Sequence, residues 1–397
     1  MAPRLVAGRC RCHDGRMKIV LASLGAYGHL YPMMPLALAC AAAGHRVTVA
    51  TGPPFLDRLP VPTVRGYPES LGLGWAFGEA ARRNPGLTGG DLAFAMFSDV
   101  AAEQVTPTMV ELLTRERPDL VVYEGMNTGA GVAAAVMGVP AAVFAISLLA
   151  SVVYPVLHAR TVGFRSDAWS SRGLVPPDDI PLLGVALLDP TPASLLGADD
   201  GLAELRFPVR TVPYSEAQGL PGWLSSPPSR PRVYLTLGTV SFGAVEVLRR
   251  ALAGIAALDV DVLVAVGPEG DPGLLGPQPA TVHAERFVDQ PAVLAAVDVV
   301  VHHGGTGTAL AALAAGRPQL LLPQGADHFV NADLLVRTGA ARSLLGDAQQ
   351  ADAIGASVRA LLVPGPERDR SAALAAEIAA MPAPADLVGR LAALADR

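Results

Sequence analysis

The chain has 397 residues, of which 51% are hydrophobic and 17% charged, and its formal net charge is −6. That length predicts two domains with ample apolar core, and the acidic balance argues against a nucleic-acid partner. Three cysteines, Cys10, Cys12 and Cys40, make no disulfide framework, which points to the cytosol.

Residues 1–16 are basic and lack the apolar centre of a signal peptide. They read as an extension outside the fold, with Met17 as a candidate natural start. Cys10-Arg11-Cys12-His13 has no second ligand pair to complete a metal site. From Met17 onward, strands alternate with helices. Ile19–Ser23 reads as a strand, Pro32–Ala43 as a helix and Arg46–Ala50 as a strand. Strand Leu120–Tyr123, helix Thr128–Met137 and strand Ala141–Ala145 follow. This βαβ rhythm predicts a parallel sheet covered by helices on both faces.

Gly125 to Leu157 contains no charged residue and is long enough to span a membrane. Gly138-Val139-Pro140 breaks it and Pro155 interrupts it again. The segment therefore reads as a buried helix, an apolar strand covered on both faces, and then a loop or helix. His158 to Leu220 is rich in Pro, Asp and Gly and weakly periodic. It leads into a linker, 209–228, that contains Pro221-Gly222 and Pro227-Pro228.

A second series starts with strand Arg232–Leu237. Strands Val262–Val266 and Ala280–Ala284, helix Pro291–Ala296 and strand Asp298–Val301 follow. The expected division is a first domain over 17–208, a linker over 209–228 and a second domain over 229–381. Two such parallel sheets leave a cleft between their strand C-terminal ends, where ligands bind in this architecture. No solenoid-like repeat is visible.

The stretch from Val299 to Ala332 carries the chemistry of the second domain. Its first strand turns through His302-His303-Gly304-Gly305-Thr306-Gly307-Thr308 into an Ala/Leu helix that stops near Gly316. Glycines allow close backbone approach, and the free N–H groups and positive end of the helix suit a phosphate. A Gly-rich turn alone is equally a packing corner. The whole spacing is more specific: HxGxGT, then GxP, a short strand at Gln319–Leu322, then Pro323, Asp327 and a helix starting near Asn331.

These residues resemble the donor-site signature of nucleotide-sugar-dependent glycosyltransferases of the GT-B fold. The similarity is greatest to bacterial enzymes that glycosylate macrolides, enediynes and other natural products. It runs from Met17 to the C-terminus, specific in the second half and looser from Phe77 to Gln218. It implies two Rossmann-like α/β domains facing across a cleft, with the acceptor bound by the first and the donor by the second. It also implies that a last helix within 383–397, after Pro382-Ala383-Pro384, packs back on the first domain.

On the donor side, Leu237-Gly238-Thr239-Val240-Ser241 ends a strand as a phosphate-facing turn would, through Gly238, Thr239 and Ser241. Phe287-Val288-Asp289-Gln290 matches the family segment that holds the base and ribose. Phe287 is then a stacking residue, although core packing explains it as well. The Val288 backbone would read the base edge, and Gln290 would reach base or ribose. His303, Gly304, Gly305, Thr306, Gly307 and Thr308 would receive the diphosphate. Asp327 matches the position that contacts sugar hydroxyls, and His328 stands where many relatives have Gln. Ala311 stands where many uridine-donor relatives carry a ribose-binding Glu, which implies a thymidine diphosphate sugar. Asp259-Val260-Asp261 is a literal DxD, but it lies away from strand C-terminal ends, so no metal and no cofactor beyond the nucleotide sugar is expected.

On the acceptor side, Gly25-Ala26-Tyr27-Gly28-His29-Leu30-Tyr31-Pro32 follows the first strand. By position alone, His29 is as readily structural as catalytic. Imidazole suits proton removal near neutral pH, and His29 falls on the family's GHxxP histidine, its usual acceptor base. Glu124, after the strand Leu120–Tyr123, lies where relatives place an orienting acid, often Asp. Asp119 reads as structural. An apolar aglycone would lie over Trp75, Phe77, Phe94, Met96 and Phe97, with buried packing accounting for part of that set.

The implied activity is inverting transfer of a deoxysugar to a hydroxyl of a hydrophobic natural product. A dinucleotide-dependent oxidoreductase would want GxGxxG after the first strand and an acid at the end of the second. Here Arg46–Ala50 runs into Thr51-Gly52-Pro53. A lipid-acceptor glycosyltransferase would show a basic amphipathic face, and none stands out. A non-catalytic helper on this scaffold would have lost His29 or the His303–Thr308 turn. No membrane association is expected, and a homodimer is left open.

Overall fold

The computed structural model describes residues 15–178, 180–197, 201–216, 219–238, 245–268 and 270–396. Thr239 and Ser241 lie outside them, as does most of the 1–16 extension. Two separate parallel sheets organise these residues.

The first sheet has seven strands: β1 (Lys18–Ala22), β2 (Arg46–Thr51), β3 (Thr63–Arg65), β4 (Leu120–Glu124), β5 (Ala141–Phe144), β6 (Ala186–Asp189) and β7 (Arg206–Pro208). Their order is β3-β2-β1-β4-β5-β6-β7 and every pairing is parallel. β4, β5 and β6 are buried at every position, as strands covered on both faces must be. The helices of this domain are α1 (Tyr27–Leu30), α2 (Met34–Ala42), α3 (Leu73–Arg83), α4 (Gly89–Ala95), α5 (Ala102–Glu116), α6 (Thr128–Val136), α7 (Ala150–Phe164) and α8 (Ser166–Ser170). A π-helical turn, Met96–Ala101, joins α4 to α5.

The second sheet has six strands: β8 (Arg232–Thr236), β9 (Asp261–Ala265), β10 (Val282–Glu285), β11 (Val299–His302), β12 (Gln319–Leu321) and β13 (Ala341–Ser343). The order is β10-β9-β8-β11-β12-β13, again parallel throughout. Its helices are α9 (Val245–Ala256), α10 (Gln290–Ala296), α11 (Thr306–Ala314), α12 (His328–Arg337), α13 (Ala351–Leu362) and α14 (Pro366–Ala380), and a last helix, α15 (Val388–Ala395), ends the chain.

Several features differ from the sequence reading, beginning with the three-residue strands β3 and β13, which it did not include. The weakly periodic region after His158 contains β6 and β7, which extend the first sheet. Strands of four and three residues are too short to announce themselves by alternation. The segment after β5 is helical, and α7 runs through Pro155. The uncharged stretch Gly125–Leu157 thus supplies α6, β5 and the start of α7, most of it buried.

Among the described residues of 209–228 there is no helix or strand. Tyr214 meets the Tyr31 ring at 5.0 Å, and Glu216 accepts from Arg58 at 2.7 Å, which binds this part to the first domain. Arg232 donates to the carbonyls of Leu224 at 3.0 Å and Ser226 at 2.6 Å, which straps the rest to the second.

Pro366–Ala395 is apolar enough to span a membrane by length and composition, but the Pro382–Pro384 break divides it. Leu374 and Ile378 of α14 pack with α11, in a cluster that also takes in Leu148 and Leu195 of the first domain. Leu387, Leu391 and Leu394 are buried with Ile19, Leu21, Leu120 and Val122 of the first sheet. The C-terminal end of the chain therefore packs on the first domain.

Candidate functional site

β1 and β4 are adjacent in the first sheet, and their C-terminal ends bring two distant residues together. α1 begins after β1 and carries His29, and Glu124 is the last residue of β4 rather than the first of a loop. His29 Nδ1 lies 3.0 Å from Glu124 Oε1. Glu124 is fully buried, and its oxygens also accept from the N–H of Leu24 at 3.3 Å and of Met126 at 2.8 Å. A carboxylate can only accept, so Nδ1 carries the proton and Nε2 stays bare. Burial by itself would lower the His29 imidazole. The charge and hydrogen bond of Glu124, with Asp327 of the second domain adding its charge, hold it above its ordinary value.

The backbone after Glu124 is pinned from behind. His158, buried at 0% exposure, donates from Nε2 to the Gly125 carbonyl at 3.0 Å and accepts at Nδ1 from Leu183 N–H at 3.0 Å. Burial pushes its pKa down to about 4, so this imidazole is neutral. Tyr154 lies against Gly125 so closely that no side chain fits there, and its hydroxyl accepts from Ile146 N–H at 2.8 Å.

Across the cleft, β11 ends at His302, and His303 follows it in the turn. His302 points inward and is fully buried, with Nε2 2.7 Å from Gln319 Oε1 and Nδ1 accepting from Gly304 N–H at 3.1 Å. Gly304 takes φ 99°, which only glycine adopts readily. Asn331 donates from Nδ2 to the Gly304 carbonyl at 3.0 Å, to Thr306 Oγ1 at 3.1 Å and to Asp327 Oδ2 at 2.9 Å. The turn, the start of α11 and Asp327 are thus one hydrogen-bonded unit. Sequence reasoning passed over His302, Gln319 and Asn331. The adjacent histidines at a strand end were the available signal for the first.

His303 faces the other way. Its ring occupies the space beside Gly238, where a Cβ would come within 2.7 Å, and beside Gly305. It meets His328 edge-on at 4.6 Å, and its Nδ1 is buried with no hydrogen-bond partner among the described residues. Burial, then the neighbouring His328 and His302, hold His303 well below its ordinary pKa. It is a neutral hydrogen-bonding group, not a cation.

Gln290, the first residue of α10, donates to Thr308 Oγ1 at 3.4 Å. Asp289 caps α10 by accepting from Ala292 N–H at 3.3 Å. Val288 is buried, whereas Phe287 is 36% exposed. Phe287 belongs to no core; its ring lies 5.3 Å from that of Tyr27 across the cleft. Ala311 is buried in a core with Tyr234, Val293 and Val300. Its methyl therefore packs the helix.

The acceptor-side aromatics divide. Trp75 and Phe77, on α3, are 46% and 48% exposed. Phe94 and Phe97 are partly buried, and the Phe97 ring lies 5.8 Å from His29. Met96 is buried in the core of the first domain, so it packs rather than presenting a surface. Phe97 sits on the π-helical turn, a feature that recurs at functional sites. Arg160 holds this turn by donating to both oxygens of buried Asp99, at 3.0 and 2.6 Å. Asp259 and Asp261 stand at the opposite, N-terminal edge of β9, where Arg230 lies 2.6 and 3.8 Å from them.

This arrangement has relatives. The profile described as "Erythromycin biosynthesis protein CIII-like, N-terminal domain" matches residues 80–238, and its C-terminal counterpart matches 249–394. L-demethylnoviosyl transferase of Streptomyces niveus is 35% identical over 95% of this chain and 98% of its own. The glycosyltransferase SnogD of Streptomyces nogalater superposes with a TM-score of 0.79 at 27% identity, covering 96% of this chain and 99% of that one. SsfS6 of Streptomyces sp. SF2575, solved with thymidine diphosphate, gives 0.77 at 26% identity over 94% and 99%.

Proposed function

Because the chain belongs to the erythromycin biosynthesis protein CIII-like family of glycosyltransferases, we propose that it moves a deoxysugar from thymidine diphosphate to a hydroxyl of an apolar natural-product aglycone, inverting the anomeric centre. The observation that carries this reading is the His29–Glu124 pair, 3.0 Å apart at the C-terminal edge of the first sheet. His29 Nε2 takes the proton of the acceptor hydroxyl as that oxygen bonds to the anomeric carbon. The bond from the same carbon to the diphosphate oxygen breaks, and the nucleoside diphosphate leaves with the electron pair. One displacement inverts the centre. An imidazole held above its ordinary pKa is a stronger base. Glu124 fixes its tautomer and offsets the charge it gains.

Phe287 stacks on the base, while Val288 and Gln290 hold its edge and the ribose. The first N–H groups of α11, with Thr306, Gly307 and Thr308, receive the diphosphate. Gly238, Gly304 and Gly305 let it approach closely. His303 donates a hydrogen bond to it, and the bound anion favours a proton on this otherwise neutral ring. Asp327 and His328 face the sugar. Trp75, Phe77, Phe94 and Phe97 form the aglycone wall. No metal takes part, and the reaction runs in the cytosol without a membrane.

The thymidine assignment draws on the thymidine diphosphate bound by SsfS6. Its test offers the thymidine and uridine diphosphate forms of one sugar to the wild-type enzyme and reads the anomeric configuration of the product by NMR. Preference for thymidine and an inverted product are expected, with EDTA leaving the rate unchanged. Equal or reversed preference removes the donor assignment, and a retained configuration removes the single displacement.

A further inference from the structure

Tyr27 opens the single helical turn that carries His29 and reaches across the cleft to Phe287. Its ring is held edge-on by Tyr31 at 5.0 Å and 83° and by Phe55 at 4.9 Å and 79°. Both partners belong to the first domain, and Phe55 is fully buried. Arg58, bonded to Glu216 of the linker at 2.7 Å, lies against the Tyr27 hydroxyl. The third contact crosses to the second domain, where the Phe287 ring is tilted by 41° at 5.3 Å. A half-exposed phenyl ring met at that angle leaves part of its surface for a second planar group. The carbonyl of Ala26 accepts from the N–H of both His29 and Leu30 at 3.0 Å. Tyr27 and His29 are thus two residues apart in one hydrogen-bonded turn, and a force on the Tyr27 ring is transmitted to the backbone of His29.

We propose that Tyr27 is the first-domain wall of the nucleobase pocket and a positioning residue for His29. A base stacked on Phe287 abuts the Tyr27 ring, so donor occupancy steadies the turn that holds the catalytic imidazole. The proposal rests on the reading of Phe287 as the base-stacking residue. It requires the plane of the Tyr27 ring and not its hydroxyl, because the hydroxyl is turned to Arg58.

Calorimetry with thymidine diphosphate and with pyrophosphate, which has no base, tests it in Tyr27→Ala, Tyr27→Phe, Phe287→Ala and the double variant. Tyr27→Ala is expected to weaken thymidine diphosphate about three- to tenfold, the range of one aromatic contact, and to leave pyrophosphate unchanged. Tyr27→Phe should restore the affinity. The double variant should bind no more weakly than Phe287→Ala alone, because the two rings form one pocket. At saturating donor, Tyr27→Ala should also lower kcat and shift the acid limb of the pH profile. Should Tyr27→Ala fail to fold, Tyr27→Leu keeps the bulk without the plane and takes its place. Unchanged thymidine diphosphate affinity in Tyr27→Ala, an equal loss with pyrophosphate, or strictly additive losses in the double variant would overturn the proposal. If Phe287→Ala itself binds thymidine diphosphate normally, the base-stacking reading falls and this inference with it. If Phe287→Ala binds weakly while Tyr27→Ala does not, only this inference falls.

Discussion

The task of His29 is set by two opposed influences on one ring. Burial, the largest single influence, disfavours the imidazolium, and the charge and hydrogen bond of fully buried Glu124, at 3.0 Å, together with the charge of Asp327, outweigh it. A base works only while unprotonated, so wild-type activity should fall as pH drops through this raised pKa. In Glu124→Gln that charge is gone and only Asp327 still opposes burial, so the acid limb should move to lower pH than in the wild type. The plateau should also fall, by up to about 10⁴-fold where the orienting acid sets the tautomer. His29→Ala should cost roughly 10²–10⁴-fold in kcat/KM with donor affinity nearly intact. The pH profile of kcat/KM is the measurement, and an acid limb unmoved in Glu124→Gln would sink the pairing. His303 shows the opposite balance. Among the described residues no carboxylate bonds to it, and two imidazoles stand beside it, so burial prevails and the ring is neutral.

At the scale of elements, the donor turn is held by Asn331 from the following helix. Its one amide satisfies the buried Gly304 carbonyl and ties it to Thr306 and Asp327. Asn331→Ala should leave that carbonyl without a donor, at a cost of about 1–3 kcal/mol in stability. Because the turn is the proposed diphosphate cradle, donor KM should rise more than acceptor KM. Chemical denaturation and the two KM values check this; equal changes in both would show that Asn331 serves the fold alone. The π-helical turn Met96–Ala101 is the matching device in the first domain, with Asp99 gripped by Arg160 so that Phe97 stays beside His29.

For the whole molecule, several imidazoles are folded in their neutral form. His158 and His302 are pushed down to about 4 by burial, and His303 lies well below its ordinary value. In the unfolded chain each titrates near 6.5. Between about pH 6.5 and 4 the unfolded state therefore binds more protons, and stability falls as pH falls. His29 acts with the other sign. Its contribution is full below 6.5 and is lost as pH rises through its raised pKa. Three groups outweigh one, so the melting temperature should drop between pH 7 and 5, a window above most carboxylate titration. His158 is expected to supply roughly 1–3 kcal/mol of this change. Calorimetric scans of the wild type and His158→Gln test it: the variant should show a shallower slope, and a flat wild-type profile would contradict the account.

Local pattern was enough to read the alternation of strands and helices, the apolar strands covered on both faces, and the HxGxGT turn ahead of α11. These signals lie within a few residues of one another, and each follows from backbone geometry and the need to bury apolar surface. The short strands β6 and β7 escaped notice because three or four residues carry no usable period. What side chains do depends on partners far away in the chain. His29 meets Glu124 across 95 positions, and His303 is neutral because it is buried, with His328 of α12 beside it. Met96 is buried while Phe97, one residue on, stays partly exposed beside His29. Ala311 faces a packed core, and Phe287 faces Tyr27 of the other domain. Charge state, burial and contact are properties of surroundings assembled from distant segments, so only the folded molecule decides them.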